Sequence, residues 1–220
     1  MKNVYGIYGA SGFGREVLPL LREQLNSDAE IYFIDDSDIL SEINGHSILT
    51  FKEFITLRRD NYFVCIAIAN SNIREKLTHK CIGEHIKILE VKAKNIVMLD
   101  NVTIADGAIL CPFVTLTSNI TIGKSFHANI YSYVAHDCII GDYVTFAPAV
   151  KCNGNIKIED HVYIGTGVVI KQGKPGKPLV IGKGAIIGAG TVVTKSIPAG
   201  MTVFGNPAVE LTKENLKRRR

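Results

Sequence analysis

A six-residue period runs through the second half of this chain. Counting in sixes from Met98 lands on Ile104, Leu110, Leu116, Ile122 and Ala128, then on Val134, Ile140, Phe146, Cys152, Ile158, Ile164 and Ile170. Every one is apolar or small. The residues two places earlier, Val102, Ala108, Val114 and Ile120 among them, follow suit, with Ser132 a polar exception. Glycine follows the anchor at Gly123, Gly141, Gly165, Gly182 and Gly188. A hexad period marks a parallel β-solenoid. Three hexads make one triangular turn, each side is a short strand, and the anchors fill the prism. The register slips once, at "KQGKPGKP" (171–178), and resumes at Ile181, Ile187 and Val193. That Gly- and Pro-punctuated segment should loop out. "IPAGMTVFGNPAVELTKENL" is placed to cover one end of the rod.

Residues 1 to about 92 follow a different pattern. "NVYGIY" and "IYFID" are short β-rich runs, and "YFVCIAIA" is a continuous apolar run suited to a strand covered on both faces. Between the first two, "GREVLPLLREQL" has helical spacing at Val17, Leu20, Leu21 and Leu25, with Pro19 expected in the first turn or at a kink. "SNIREKLTHKCI" spaces Ile73, Leu77 and Cys81 four apart behind a cap at Asn70 or Ser71, and "KILEV" reads as a fourth strand. Alternating strands and helices imply a small parallel sheet.

The glycines of "YGASGFGRE" are Gly9, Gly12 and Gly14, a G-x-x-G-x-G pattern. The dinucleotide fingerprint is G-x-G-x-x-G. About 90 residues make only one mononucleotide-binding half. The loop therefore reads as one wall of a nucleotide pocket without a nicotinamide half. Asp35 and Asp36 end the second strand, where a carboxylate accepts hydrogen bonds from ribose hydroxyls or base N–H groups.

Charge and cysteine content narrow the function classes. The net charge of +4 resides in Lys217, Arg218, Arg219 and Arg220; the other 21 Lys and Arg match 21 Asp and Glu. The body has no basic excess for nucleic acid; within the basic tail (209–220), "KENLKRRR" (213–220) is expected to be a frayed, solvated end. No signal-peptide pattern opens the chain, and no run of about 18 apolar residues predicts a membrane span. Five cysteines without a CxxC pair suit a reducing cytoplasm.

The [Ile/Leu/Val]-Gly-x4 pattern, the ending "AIIGAGTVVTKSIPAGMTVFGNPA", the preceding "YGASGFG" unit and the internal "FHANIYSYVAHDCIIGDYVTFAPAVKCNG" together resemble bacterial nucleotide-amino-sugar N-acetyltransferases of the hexapeptide-repeat superfamily. The last stretch is especially similar to GDP-perosamine N-acetyltransferases, and also to enzymes acting on dTDP- or UDP-linked 4-amino-4,6-dideoxy sugars. The resemblance implies an α/β Rossmann-like domain (1–92), an all-β left-handed parallel β-helix (93–208) and the basic tail. It implies a cytoplasmic homotrimer in surface-polysaccharide synthesis, with acetyl-CoA between neighbouring β-helices and no metal. Acetyl-CoA would acylate the sugar C4 amine.

The same resemblance assigns residues. His136 lies two places past an anchor and should face outward; it matches the family's general base. An imidazole titrating near pH 6.5 suits proton removal from an attacking amine. Asp137 would hydrogen-bond and orient it. Gly9, Ser11, Gly12, Asp35 and Asp36 match the nucleotide-holding positions, with Phe13 where a polar residue is common. Thr145, Gly165, Thr166, Gly188 and Ala189 match the acetyl-CoA site, where a backbone N–H would polarise the thioester carbonyl. The lysines of 171–178 suit either CoA phosphates or an ordinary solvated loop. His127 and His161 form no metal-ligand spacing with His136, and Cys138 and Cys152 fall on inward positions. Two other readings share these features: a sugar O-acetyltransferase of the sialic-acid type, which would use the same base, and a non-catalytic β-solenoid binding nucleotide sugars.

Overall fold

A computed structural model describes residues 2–37 and 41–217. Arg218–Arg220, the end of the basic tail, lie outside the described residues. The N-terminal unit is a sheet with helices on both faces. Its elements are β1 (Asn3–Tyr8), α1 (Gly12–Gln24), β2 (Glu30–Ile34), β3 (Glu42–Ile43), β4 (His46–Leu49), α2 (Phe51–Thr56), β5 (Asn61–Ile66), α3 (Ser71–Gly83) and β6 (Lys87–Ile88). The strand order is β3-β4-β2-β1-β5-β6, parallel except for the β3–β4 hairpin. Val4, Ile7, Phe33, Val64 and Cys65 are fully buried, as a sheet covered on both faces demands.

Three local features depart from the sequence expectation. Pro19 sits in the middle of α1, not its first turn, on an exposed side where water can replace the missing donor. The short helix α2 was signalled by Thr50-x-x-Glu53: the Thr50 hydroxyl accepts from the Glu53 N–H at 3.2 Å, and the Glu53 carboxylate accepts from the Thr50 N–H at 2.8 Å. On α3, capped by Asn70, the apolar stripe holds at Leu77 and Cys81 but not at its first position. Ile73 is 48% exposed, while Arg74, Thr78 and Cys81 face inward.

The "KILEV" run divides between the two halves. Lys87–Ile88 completes the first sheet, and β7 (Val91–Lys92) pairs with Ile109–Leu110 as the first rung of the solenoid. Three stacked sheets then form the faces of a prism. The first face begins at β7 and runs through His127–Ala128, Thr145–Phe146, Tyr163–Ile164 and Ile186–Ile187 to Thr202–Phe204. The second holds Val97–Met98 to Val192–Val193, and the third Val102–Ile104 to Leu179–Ile181. The hexad anchors from Leu110 to Val193 are buried in one continuous core. Met98 is 37% exposed because its strand ends its face, with no earlier coil beneath it. Ser132, inside the prism, is satisfied by donating to the Ala147 carbonyl and accepting from the Val150 N–H, both at 3.1 Å.

From Asn101 to Gly167 every sixth residue has positive φ, and these left-handed residues make the corners of the triangle. Residues 171–178 project as a small bridged turn, Lys174 opposite Lys177. The C-terminal segment is more ordered than a frayed tail. Val209–Glu210 pairs antiparallel with Thr202–Phe204, and Lys213–Lys217 is helical.

The two halves are joined on the first face. Val17, Leu18 and Leu21 of α1 share a core cluster with Val91, Ile109 and Cys111. Beside it lies Arg74, fully buried and, among the described residues, without a carboxylate partner. Its guanidinium donates to the carbonyls of Ile68 (2.7 Å) and Ala69 (3.1 Å) in its own half. Across the seam it donates to those of Ser125 (3.1 Å) and Tyr143 (2.6 Å) and to the Thr145 hydroxyl (3.0 Å). The fork geometry of arginine suits this role, because one side chain satisfies carbonyls on two elements at once. Burial lowers its pKa to about 9.

Candidate active site

His136 lies where the strand Tyr133–Val134 leaves the second face and the chain turns into Cys138–Ile140 on the third. Val134 and Cys138 point into the prism, and the His136 side chain between them is 47% exposed. Nδ1 lies 2.7 Å from Oδ2 of Asp137, and Oδ1 of Asp137 accepts from Nδ2 of Asn119 at 3.2 Å. The His136 bond, then the Asn119 bond, hold the Asp137 carboxyl below the usual carboxylate range. With Nδ1–H donated to Asp137, Nε2 carries the lone pair. The next coil fixes the histidine from below. The Asn155 N–H donates to the His136 carbonyl at 3.0 Å, and Gly154 lies directly against the ring edge.

The glycine loop joins β1 to α1 at the C-terminal edge of the first sheet. Gly9 has φ 105° and donates its N–H to the Ile34 carbonyl at 2.8 Å. A Cβ on Gly14 would fall 1.9 Å from the Gly9 carbonyl oxygen, so only glycine lets the helix start this close to the loop. Ser11 is the N-cap of α1 but makes no side-chain cap bond, and Ser11 and Gly12 are exposed. Asp35 accepts from the Ala10 N–H (3.2 Å) and the Ser37 N–H and hydroxyl, tying β2 to the loop. Asp36 accepts from the Phe51 N–H (2.8 Å), the Tyr8 hydroxyl (2.5 Å) and Lys80 (3.2 Å). Partial burial works to raise both carboxyls, and these donors outweigh it, leaving both below their ordinary range.

Phe13 points toward the β-helix, its ring 5.2 Å from that of His127. The two line a cavity of about 210 Å3 with Glu16, Asn129, Thr145 and Thr166. His127 is fully buried, and among the described residues neither ring nitrogen has a partner in good hydrogen-bond geometry. Burial, with Arg74 nearby, pushes its pKa well below the imidazole range, so it is neutral. Across the β5–α3 connection a groove of about 350 Å3 is lined by Asn70, Thr145, His161, Tyr163 and Ile186. His161 instead contacts Glu75 at 3.6 Å and stacks on Tyr143.

The residues matched to acetyl-CoA occupy successive coils of this half of the prism. Thr145 is nearly buried against Arg74, and Thr166 opens onto the smaller cavity. Gly165 and Ala189 touch: a Cβ at 165 would lie 2.7 Å from the Ala189 nitrogen. Gly188 begins the same turn. His136 and Asp137, on the opposite corner, line neither cavity. Within one chain, Phe13 of the glycine loop lines the smaller cavity and the histidine pair lines neither. Sequence reading missed Asn119 and Gly154, whose only signal was their spacing from Asp137 and His136 in coils of 18 residues.

Fold and site together define an acyltransferase of the hexapeptide-repeat class with an α/β unit at its N-terminus. Residues 6–81 match the family described as the PglD N-terminal domain. A GDP-perosamine N-acetyltransferase of Escherichia coli O157:H7 is 49% identical over 215 residues, covering 96% of this chain and 97% of that protein. The chain belongs to this N-acetyltransferase family. WeeI from Acinetobacter baumannii AYE is 59% identical, with a TM-score of 0.93 over 95% of this chain and all of that one. The acetyltransferase domain of PglB from Neisseria gonorrhoeae FA1090, solved with acetyl coenzyme A, is 25% identical, with a TM-score of 0.85 over 96% of this chain and 99% of that one.

Proposed function

We propose that this protein transfers the acetyl group of acetyl-CoA to the C4 amine of GDP-perosamine, in surface-polysaccharide synthesis. The near full-length identity to the E. coli GDP-perosamine enzyme carries the substrate, and the His136–Asp137 pair carries the chemistry. The amine lone pair attacks the thioester carbonyl carbon. Nε2 of His136 takes the proton that the nitrogen must lose, while Asp137 holds Nδ1–H and stabilises the imidazolium. The tetrahedral intermediate collapses, the C–S bond breaks, and the imidazolium returns its proton to the CoA sulfur. A base so placed is worth roughly a hundred- to ten-thousandfold in rate.

Gly9, Ser11, Gly12, Asp35 and Asp36 hold the nucleotide in this reading, and Thr145, Gly165, Thr166, Gly188 and Ala189 mark the run of acetyl-CoA. The N-terminal α/β unit binds the nucleotide sugar, and the β-helix, which begins at Val91–Lys92 and takes Val209–Glu210 into its first face, is catalytic. The assembly is a homotrimer. The separation of His136 from the glycine loop within one chain supports a site completed by a neighbouring subunit. The five free, buried cysteines support a cytoplasmic location.

The test is mass spectrometry after incubation with acetyl-CoA and GDP-perosamine, its dTDP- and UDP-linked counterparts, and a 4-hydroxyl analogue. The mass of one acetyl group should appear on the GDP amino sugar. Acetylation of the hydroxyl analogue alone, or no release of CoA thiol with any sugar, refutes the reading. His136→Ala should remain folded and lose most of the rate.

A further inference from the structure

Asp137 stands in a column of asparagines. The corners between the second and third faces are Asn101, Asn119, Asp137 and Asn155, with φ of 55°, 58°, 58° and 58°. Asn and Asp take this left-handed backbone more readily than other L-residues. Identical backbone on stacked coils places each side chain over the one before it. Nδ2 of Asn101 donates to Oδ1 of Asn119 at 3.2 Å, and Nδ2 of Asn119 donates to Oδ1 of Asp137 at 3.2 Å. The remaining Asp137 oxygen faces His136. The Asn101 and Asn119 amides point the same way and end on the column's single carboxylate.

That carboxylate is half exposed, and one bond to the imidazole leaves it free to rotate. A donor on the other oxygen removes that freedom. We propose that Asn119 is a positioning residue for acetyl transfer: it clamps Asp137 in the rotamer that orients His136. The inference rests on His136 being the base. Asn119 touches no reacting atom and acts through Asp137. Asn101 aligns the Asn119 amide and strengthens its bond, as successive hydrogen bonds polarise one another.

The test uses two substitutions that spare the corner. Asn119→Gly accepts positive φ without strain and removes the amide. Asn119→Asp keeps size and backbone preference but exchanges the donor for a second carboxylate. Each should lower kcat by roughly tenfold, the scale of one hydrogen bond to a charged group. KM for both substrates and the melting temperature should hold. Asn119→Gly added to Asp137→Gly should cost no more than Asp137→Gly alone, since the clamp then has nothing to hold. Wild-type kcat in both single variants, or a full multiplicative loss in the double variant, overturns the proposal. His136→Ala in the same assay separates the two readings. Full activity there refutes the catalytic base itself, whereas an inactive His136→Ala beside a fully active Asn119→Gly refutes only the clamp.

Discussion

A Cβ placed on Gly154 would lie 2.6 Å from both Cε1 and Nε2 of His136, and the three nearest atoms to it all belong to that ring. Glycine is required here by the imidazole and not by the backbone, since Gly154 is not among the left-handed residues. Gly154→Ala should therefore push the ring off the position where Nε2 meets the amine. The half-exposed ring can swing aside, so the fold should lose little. Steady-state kinetics should show kcat reduced on the order of a hundredfold, the cost of a small misplacement at a reacting centre. An unchanged kcat with a folded protein would show that the ring's resting position does not matter.

Arg74 is the fully buried polar link across the seam, beside contacts such as His161–Glu75. Arg74→Ala would orphan carbonyls on Ile68, Ser125 and Tyr143 and leave a void. Denaturant unfolding should report a loss of about 3 kcal/mol or more, the scale of several unsatisfied buried groups. Arg74→Lys should recover less than half, because an ammonium cannot reproduce the planar fork that reaches both halves.

Gly14→Ala tests the glycine loop. Its Cβ would collide with backbone, the Gly9 carbonyl oxygen, so loop and helix must part. The expected result is a raised KM for the nucleotide sugar with KM for acetyl-CoA unchanged. An equal effect on both constants would place the loop outside the nucleotide site.

Asp36 makes stability pH-dependent. Its folded pKa lies below the ordinary value, so its contribution is complete above about pH 4 and is lost as pH falls through the folded pKa. Thermal melts of wild type and Asp36→Asn should differ most at neutral pH and converge in acid. With the side chain half exposed, the difference should be small, about 1 kcal/mol or less. A gap that widens in acid would contradict the assignment.

The solenoid was legible because its core is one-dimensional: each anchor meets only the residues one coil away, so the hexad period encodes the contacts directly. The histidine pair was legible for the same reason, as an outward residue beside a corner. The same period, read in coils of 18, also held the Asn101, Asn119, Asp137 and Asn155 column. The face of α3 was not legible. Leu77 and Cys81 of the expected stripe do pack on the core, but Ile73 faces out, because the surface opposite that turn is a row of carbonyls that selects Arg74. Pro19 and the capping box at Thr50 were local features: the first-turn alternative for the proline falls, since it sits mid-helix, and the box was passed over.

What this sequence determines by itself is what depends on neighbours at fixed spacing: the prism, its corners, the loop at 171–178, the small α/β unit and the outward histidine. What only the tertiary structure decides is how elements without fixed spacing meet. It sets the first unit on one face of the prism, buries an arginine between them, turns Phe13 onto His127 and leaves the glycine loop away from His136. Those contacts depend on shape and on hydrogen-bond geometry between distant segments, and no period in the chain records them.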